Sequence, residues 1–280
     1  MKTIGIYPNP KRDAELLCTR RVIEILIPYG ASFLAPKKLA PLLGDMLPRE
    51  AFVEEKALFS QSECLVTLGG DGTILSVAAR AAEADLPILG INLGHVGFMA
   101  GLEKKDLQRI HSLMTGDFTL SSRMLLSCRL GDGEEMLAMN EFVIAPDKGF
   151  HIVELSLYTG EKKLCDFRAD GLIFNTPTGS TGYSFSAGGA VMDAEFDAVG
   201  VKAISSYLLI GAHHMIFSPE TVFTVKNCRS EGSVVTVCAD GREEKALTAG
   251  DELTISRSKK RVKLITFEPQ SNHEVFFRKF

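Results

Sequence analysis

The apolar residues of the first part of the chain alternate between two spacings. Short apolar runs typical of buried strands are "TIGIY", "ASFLA", "ECLVTL" and "LPILGIN". Between them, "AELLCTRRVIEIL" and the residues after Asp71 carry apolar side chains at helical spacing. Because strands separated by helices form βαβ units, this pattern predicts an α/β domain with a parallel sheet.

The pattern changes after the helical stretch Lys104 to Gly116, which ends on a glycine as helices often do. From Thr119 onward, short strands alternate with tight turns such as Asp240-Gly241. We therefore expect an α/β first domain over residues 1–116 and a β-rich second domain over residues 117–280. The sequence does not decide whether the last stretch, "SNHEVFFRKF", packs back on the first domain.

Composition narrows the class of protein. A net charge of -4 over 280 residues lacks the basic excess of a nucleic-acid-binding chain. We expect the densest basic run, Arg257 to Lys263, to form a solvated hairpin turn. The six cysteines form no C-x-x-C pair, which favours reduced thiols. No apolar stretch suits a signal peptide or a membrane span. These features predict a cytoplasmic protein with neither nucleic acid nor membrane as a partner.

The stretch "LGGDGT" joins a predicted strand to a predicted helix. The first amides of a helix lack intrahelical partners, so they favour an anion such as phosphate. Asp71, between Gly70 and Gly72, would repel that phosphate unless it holds magnesium or accepts a proton from an attacking hydroxyl. Both roles belong to phosphoryl transfer. The alternative is a structural glycine turn in which Asp71 caps the helix.

Two later stretches bring polar groups together. Within "DGLIFNTPTGSTGYSFSAGG", hydroxyl residues interleave with glycines, so the backbone can approach a ligand closely. The alternative is a hydrophilic loop. In "MLAMNEFVIA", Asn140 and Glu141 interrupt an apolar strand, and burying them would cost free energy unless they bind something. The alternative is a surface strand.

Together these stretches resemble the NAD kinase family, which phosphorylates the adenosine ribose 2'-hydroxyl of NAD to make NADP. The resemblance is carried by "LGGDGT", "ILGINLGHVGFMAG", "NEFVIAP" and "DGLIFNTPTGSTGYSFSAGG". It implies that Asp71 is the catalytic carboxylate and that Asn140 and Glu141 hold the adenosine ribose. The other residues that the resemblance implies in nucleotide binding are Gly70, Gly72, Thr73, Arg168, Asp170, Thr178, Thr181, Gly182, Tyr183 and Ser186.

The resemblance also implies NAD as substrate, ATP or polyphosphate as phosphate donor, a divalent cation such as Mg²⁺, and a homodimer or homotetramer. The sequence departs from the commonest family pattern at Gly182, where alanine is frequent, and at His95, where arginine is frequent. These departures leave the preference for NAD or NADH and the choice of donor open. His213 and His214 lack the carboxylate or cysteine spacing of a metal site, so we predict no metal ligands there.

Other kinases share a Gly-Gly-Asp-Gly-Thr loop. Lipid kinases of the diacylglycerol type carry a Gly-Thr-x-Asn-Asp-Phe-Ala run where this chain has "NLGHVGFMAG", and the aspartate pair of phosphofructokinases is not found. An alternative of another class is a sensor that binds NAD or NADP without turnover. Asp71 argues against a sensor, because a protein that only binds gains nothing from a carboxylate near a ligand phosphate.

Overall fold

The structure is a computed structural model of the 280-residue chain. It describes residues 1–94, 97–148, 151–207, 213–228, 234–268 and 274–275. His95 and most of "SNHEVFFRKF" lie outside the described residues. Contacts divide the chain into unit 1, residues 1–123 with 261–280, and unit 2, residues 124–260. The boundary expected after Gly116 lies a few residues before this division. The sequence left open whether the last residues return to the first domain, and residues 261–280 belong to unit 1.

Unit 1 alternates strands and helices. Its strands are β1 (Thr3–Pro8), β2 (Ser32–Pro36), β3 (Phe52–Val53), β4 (Cys64–Gly69), β5 (Ile88–Asn92) and β6 (Leu102–Glu103). Its helices are α1 (Leu17–Leu26), α2 (Ala40–Leu43), α3 (Glu55–Gln61), α4 (Asp71–Glu83) and α5 (Ser112–Thr115), with 3-10 turns at Ala14–Leu16, Ile27–Tyr29, Lys37–Leu39, Arg49–Ala51 and Lys104–His111. Strands β3, β2, β1, β4 and β5 pair side by side in parallel, and β6 also pairs in parallel with β5. The predicted α/β domain with a parallel sheet is confirmed.

Helices cover both faces of this sheet. Successive residues of a strand point to opposite faces, so the neighbours of adjacent residues show which helix covers each face. Ile4 and Ile6 of β1 belong to the buried cluster that α1 completes. Between them, a Cβ on Gly5 would approach the Leu58 side chain of α3. Likewise, a Cβ on Gly90 of β5 would collide with Ile74 of α4 at 2.4 Å. The sheet is therefore buried on both sides, as parallel sheets are.

Unit 2 is built almost entirely from strands. They are β7 (Thr119–Leu130), β8 (Met136–Ala138), β9 (Glu141–Pro146), β10 (Val153–Thr159), β11 (Lys162–Ala169), β12 (Gly171–Asn175), β13 (Val199–Ile204), β14 (Met215–Phe217), β15 (Phe223–Asn227), β16 (Val235–Ala239), β17 (Glu243–Leu247) and β18 (Glu252–Thr266). A 3-10 turn spans Thr178–Thr181, and the short helix α6 spans Tyr183–Ser186. Strand β7 starts in unit 1, and β18 ends there.

Two antiparallel sheets share the core of unit 2. One has the order β14-β13-β12-β9-β16-β17. The other joins β11, β10, β15 and β18, with β7 beside β18 and β8 beside β7. Buried residues of both sheets form one hydrophobic cluster. Phe174 of β12 meets Phe223 of β15 edge to face, with ring centroids 5.4 Å apart. The predicted β-rich second part is confirmed.

The basic run Arg257–Lys263 does not form a turn, so the hairpin prediction is wrong. The run lies inside β18, which continues unbroken from Glu252 to Thr266. It contains no Gly, Pro, Asn or Asp to bend the chain, and Ser258 and Val262 within it are buried. Arg257 and Lys263 form ion pairs, with Asp197 at 3.5 Å and with Asp85 at 2.6 Å, and Arg261 donates to Ser122 Oγ at 2.7 Å.

Two predicted helices are less regular than their spacing suggested. The first is a 3-10 turn followed by α1, because Glu15 and Leu16 have φ of 51° and 53°. The stretch from Lys104 is a 3-10 helix with a kink at Asp106, and it continues into α5. Its end at Gly116 is as expected, with φ 80°. In the described ranges, no helix combines the length and the apolar character needed to cross a membrane.

Candidate functional site

The segment Gly69–Thr73, here called the glycine loop, follows the fully buried strand β4 and opens α4. Thr73 N–H donates to the Gly70 carbonyl at 2.8 Å, which closes the first turn. A Cβ added at Gly70 or Gly72 would meet no atom within 4 Å, and neither glycine has a left-handed φ. Neither local conformation nor packing therefore requires glycine at these positions. A bare backbone there suits the close approach of a ligand.

Asp71 is held by a segment that follows β5. Phe98 N–H donates to Asp71 Oδ2 at 2.8 Å, and Met99 N–H donates to Oδ1 at 3.3 Å. A Cβ on Gly97 would come within 2.4 Å of Oδ1, so only glycine fits beside the carboxylate. Asp71 makes no capping bond to α4, whose N-cap residue is Gly70. The alternative of a capping aspartate is thus ruled out, and the carboxylate keeps acceptor capacity beyond the two amides.

Asn92 supports the chain that leads to this segment. Its side chain is buried, with Nδ2 donating to both Glu103 carboxylate oxygens at 3.1 Å. Its Oδ1 accepts the Gly94 N–H at 3.1 Å, and the neighbouring Leu93 N–H donates to the Gly69 carbonyl at 2.7 Å. Neither Asn92 nor Glu103 was among the residues predicted from the motifs. A buried asparagine at the end of an apolar strand was the available signal.

A second group of polar residues, here called the Asp240 cluster, comprises Met139–Glu141, Thr176–Tyr183 and Asp240. Asp240 lies in the turn between β16 and β17 with φ 49°. Its Oδ2 accepts the Met139 N–H at 2.8 Å, and its Oδ1 accepts the Asn140 and Glu141 N–H groups at 2.8 and 3.0 Å. Asp240 N–H donates back to the Glu141 carbonyl at 3.0 Å. One carboxylate therefore fixes the backbone of both predicted ribose-binding residues.

The loop after β12 packs against the same backbone. Thr176 N–H donates to the Asn140 carbonyl at 2.9 Å, and Thr176 Oγ1 donates to the Met139 carbonyl at 2.6 Å. A Cβ on Gly179 would lie 2.1 Å from the Asn140 carbonyl oxygen, so glycine is required here by close approach. The 3-10 turn Thr178–Thr181 thus sits directly on Asn140.

The side chains of Asn140 and Glu141 are left with unused capacity. Among the described residues, Asn140 Oδ1 and Glu141 Oε2 are buried and have no hydrogen-bond partner. A Cβ on Gly182 would lie 2.9 Å from Glu141 Oε2 and 3.3 Å from Asn140 Nδ2. Unpartnered buried polar atoms cost free energy, and an incoming ligand with hydroxyl groups would supply their partners.

The cluster also brings two carboxylates together. Burial, and next the charge of Asp240, raise the pKa of Glu141 to about 8, although the Tyr183 amide opposes the shift. Burial also raises the pKa of Asp240, against the pull of its three amide donors. Because those donors favour an ionised Asp240, we place the proton that the pair retains at neutral pH on Glu141.

The remaining predicted residues differ in their surroundings. Thr181 Oγ1 donates to the Thr178 carbonyl at 3.2 Å, and Ser186 N–H donates to the Gly182 carbonyl at 3.4 Å, so these residues belong to the same loop. Arg168 and Asp170 are exposed and contact other parts of unit 2. Arg168 pairs with Glu154 at 3.3 Å, and Asp170 N–H donates to the Ile204 carbonyl at 2.9 Å.

His214 has a structural role. Its Nδ1 accepts the Ala190 N–H at 2.9 Å, so the proton lies on Nε2, which donates to Asn175 Oδ1 at 3.2 Å. Burial lowers the pKa of His214, which keeps the ring neutral. Over the part of the chain that the structure describes, no group of three His, Cys, Asp or Glu residues could hold a metal ion.

Comparisons with known proteins decide the family. Residues 46–118 match the ATP-NAD kinase N-terminal domain, and residues 139–267 match the ATP-NAD kinase C-terminal domain. The NAD kinase of Natranaerobius thermophilus is 33% identical, with 100% of this chain and 98% of the relative covered. The NAD kinase of Acetivibrio thermocellus is 31% identical, with 98% and 96% covered. The chain belongs to the NAD kinase family.

Solved structures agree with an NAD kinase fold. Yeast NADH kinase complexed with NADH has a TM-score of 0.85 at 22% identity, with 100% of this chain and 86% of that chain covered. An NAD kinase from Archaeoglobus fulgidus in complex with ATP has a TM-score of 0.73 at 24% identity, with 99% and 96% covered. The resemblance inferred from the motifs is confirmed.

Asp240 is the main residue of the cluster that sequence reasoning missed. Its Asp-Gly pair was interpreted only as a hairpin turn, and "DGREE" matched the NAD kinase family loosely. Its partners Met139–Glu141 lie about a hundred residues earlier in the chain. The available signal was an aspartate with a turn-forming glycine next to an apolar strand, which does not reveal a distant partner.

Proposed function

We propose that the chain is an NAD kinase that transfers the γ-phosphoryl group of ATP to the adenosine ribose 2'-hydroxyl of NAD, with Asp71 as the catalytic carboxylate. Full-length relatives named NAD kinase support the activity. The observation that carries the role of Asp71 is its carboxylate, held by two backbone amides at the start of the helix after the glycine loop. A lipid kinase, a phosphofructokinase and a non-catalytic sensor are not favoured by the family match.

In the proposed reaction, the 2'-oxygen of the ribose forms a bond to the γ-phosphorus while the bond to the β,γ-bridging oxygen breaks. The hydroxyl proton passes to the Asp71 carboxylate, and the bridging oxygen leaves as part of ADP. The amide donors of Phe98 and Met99 fix the direction of the carboxylate. The N–H groups of the glycine loop, with the positive end of the α4 dipole, would stabilise the phosphoryl charge.

Asn140 and Glu141 are proposed to hold the adenosine ribose. Their buried Oδ1 and Oε2 atoms can accept hydrogen bonds from ribose hydroxyls. Asp240 would act through them, because it sets the backbone from which both side chains project. The neighbouring loop with Thr178, Thr181, Gly182, Tyr183 and Ser186 is proposed to contact the dinucleotide, and Arg168 and Asp170 remain predicted contacts.

Magnesium is proposed as the divalent cation, but the described residues do not form a protein cage for it. Mg²⁺ commonly binds substrate phosphates and water with few protein ligands. We therefore assign the ion to the donor phosphates and assign no protein ligand to it.

The test of the function is direct. The purified protein, given NAD, magnesium and either ATP or polyphosphate, should produce NADP, measured with an NADP-specific dehydrogenase. Running NADH in parallel would settle the substrate preference that Gly182 and His95 leave open. If neither donor gives product although calorimetry shows NAD binding, the sensor reading replaces the kinase.

The expected homodimer or homotetramer is also a proposal, in which Asp170 or Tyr183 reaches the site of a neighbouring subunit. Tyr183 is 45% exposed, which leaves its ring available to a partner. Mixing an inactive Asp71 variant with an inactive Tyr183 variant should restore some activity if subunits share sites, whereas an active monomer would exclude sharing. The six cysteines are free thiols, which supports the proposed cytoplasmic location.

A further inference from the structure

Unit 1 contains a cleft of about 460 Å³ between the start of α1 and the 3-10 helix Lys104–His111. This volume lies in the range of ligand-binding pockets. Four cationic residues line the cleft: Arg12, Arg21, Lys104 and Lys105. The chain as a whole has a net charge of -4, so the positive charge of the cleft lining is opposite in sign to the net charge of the protein.

The lining contains one carboxylate, Asp13, so it offsets only one of these four positive charges. Asp13 is buried, and its oxygens accept the Cys18 and Thr19 N–H groups at 2.9 Å and the Thr19 hydroxyl at 2.6 Å. Burial, and next Asp13, raise the pKa of the lining thiol Cys18 to about 11, so it adds no negative charge. The lining of the cleft therefore keeps a net positive charge, with four cations against one carboxylate.

The four cations differ in their partners. Arg21 pairs with Glu24 at 3.0 Å. Arg12, Lys104 and Lys105 form no ion pair with any carboxylate in the described ranges. These three residues come from two segments that are distant in sequence, so the fold itself brings them together. Unpaired cations around one concave site are suited to a polyanion.

The cleft shares structure with the glycine loop. Leu93 lines the cleft, and its N–H donates to the Gly69 carbonyl at 2.7 Å. Asn9, three residues before Arg12, donates its N–H to the Leu68 carbonyl at 2.8 Å. The Arg12 guanidinium lies 3.9 Å from the Cβ position of Gly94, on the segment that leads to the partners of Asp71. A chain of phosphates in the cleft could thus extend to the glycine loop.

Two residues between Ala14 and Leu17, which line the cleft, have unusual backbone geometry. Glu15 and Leu16 are consecutive non-glycine residues in the left-handed region, at φ 51° and 53°. Such geometry costs free energy and persists only when its surroundings enforce it, which is common at ligand sites. Here the buried Leu16 side chain and the three hydrogen bonds of Asp13 enforce it.

From this cation cluster we propose that the cleft binds the phosphate chain of the donor, with Arg12, Lys104 and Lys105 contacting its oxygens. The inference rests on the proposed kinase function and identifies a donor site for it. The shared chemistry is a run of anhydride-linked phosphates, which a nucleoside triphosphate or inorganic polyphosphate can supply. The exposed Leu17 at the cleft offers an apolar contact that only the base of a nucleotide would use.

The test uses the double variant Lys104→Gln/Lys105→Gln and a matched control, Lys37→Gln/Lys38→Gln. Both pairs are adjacent, exposed lysines at the start of a 3-10 helix of unit 1. The control lysines already pair with Glu54 and Glu55 and do not line the cleft. In the cleft variant, KM for the donor should rise about tenfold or more, because charge-assisted bonds to phosphate are lost. KM for NAD should stay within about twofold, and the control should match the unmodified protein.

Donor identity follows from parallel assays with ATP and with polyphosphate. A rise in KM for both donors supports a site for the phosphate chain, and a rise for one donor supports that donor alone. Equal donor KM values for the cleft variant and the control would overturn the inference while leaving the kinase function intact.

Calorimetry with inorganic tripolyphosphate separates the inference from the proposed function, because it needs no turnover. Binding that weakens about tenfold or more in the cleft variant but not in the control supports the site even if no NADP forms. Binding that is unchanged in the cleft variant, or no binding to the unmodified protein, contradicts it. Arg12→Gln should weaken tripolyphosphate in the same direction and provides a second, independent variant.

Discussion

The glycine loop and the Asp240 cluster each place an aspartate against backbone N–H groups, but they use it differently. Asp71 accepts two amides and keeps acceptor capacity beside glycines that have open space. Asp240 accepts hydrogen bonds from three backbone N–H groups, and its carboxylate serves to hold that backbone in place. In the cluster, the unused capacity belongs to Asn140 and Glu141. The difference teaches that a carboxylate held by backbone amides can be a reactive group or a structural one. The role depends on whether its oxygens remain available to accept a further hydrogen bond or a proton.

Replacing Asp71 should have the largest effect. Asp71→Asn removes the charge at nearly constant size, so we expect kcat to fall at least about a hundredfold, the range for a lost general base, while NAD still binds. Steady-state kinetics and NAD calorimetry measure the two effects. The control is Asp251→Asn, whose carboxylate likewise accepts a backbone N–H, from Thr248 at 2.7 Å. It should stay within about twofold of the unmodified protein.

Two outcomes would change the role of Asp71. Recovery of kcat at high magnesium would make it mainly a metal ligand. Survival of turnover with only a raised KM would rule out both catalytic roles, and the contrast between the two aspartates would disappear.

Asp240→Asn should affect binding more than chemistry. An amide side chain has one acceptor oxygen, so one of three buried N–H groups would face another donor, at a cost of about 1–3 kcal/mol. We expect KM for NAD to rise about tenfold, with kcat less affected and KM for ATP unchanged. A purely structural role would instead lower the amount of active protein and leave KM for NAD as it was. The Asp251→Asn variant again serves as the control.

Glu141→Gln should reveal its charge in the pH dependence of stability. The folded pKa of about 8 lies above the ordinary 4.5, so the folded protein holds a proton there that the unfolded chain releases. The free energy of unfolding should therefore fall as pH rises from about 4.5 to 8 and then level off.

The glutamine variant should lack this term, so its stability relative to the unmodified protein should increase over the same window by more than about 1 kcal/mol. Urea unfolding at several pH values measures it. Glu135→Gln, a glutamate of the same unit that bonds to Ser127, is the control and should show no such trend. Parallel pH curves for the unmodified protein and Glu141→Gln would contradict the assignment.

Gly182→Ala should have the smallest effect. The new methyl group would press on Glu141 Oε2 at 2.9 Å and on the Gly179 carbonyl at 3.2 Å, and the first can move because it ends a side chain. We expect KM for NAD to change only a few-fold and stability to hold. Gly133→Ala, which is similarly close to the Leu130 carbonyl at 2.9 Å, is the control for crowding alone. A change of a hundredfold would mean that Gly182 has a role of its own in the site.

Local signals predicted the fold of unit 1 well. Strands β1, β4 and β5 and helix α4 follow apolar spacing and glycine punctuation, which act over a few residues. The glycine loop was located for the same reason. The turn at Glu15 and Leu16 was not predicted, because neither residue type favours a positive φ. The burial of the Leu16 side chain enforces this backbone geometry.

Long-range partners account for the rest. Asp240 meets residues about a hundred positions away, and Arg12 shares a cleft with Lys104 and Lys105. The motif with Asn140 and Glu141 showed which polar groups needed a partner, but not that a carboxylate from a later hairpin sets their backbone. The hairpin predicted for the basic run in β18 was wrong because charge indicates solvent exposure and not a turn, and the run contains no turn-forming residue.

Strand β18 has a consequence for how the protein is made. It begins in unit 2 and ends in unit 1, where Leu264 pairs with Ile88 and Ile265 is fully buried. A ribosome releases the first 123 residues long before these two. The sheet of unit 1 therefore cannot be completed until the whole of unit 2 has been synthesised, and until then Ile88 has no partner strand on that side. Cutting the gene between the two units would not yield two complete proteins, because the first half would lack the strand that arrives last.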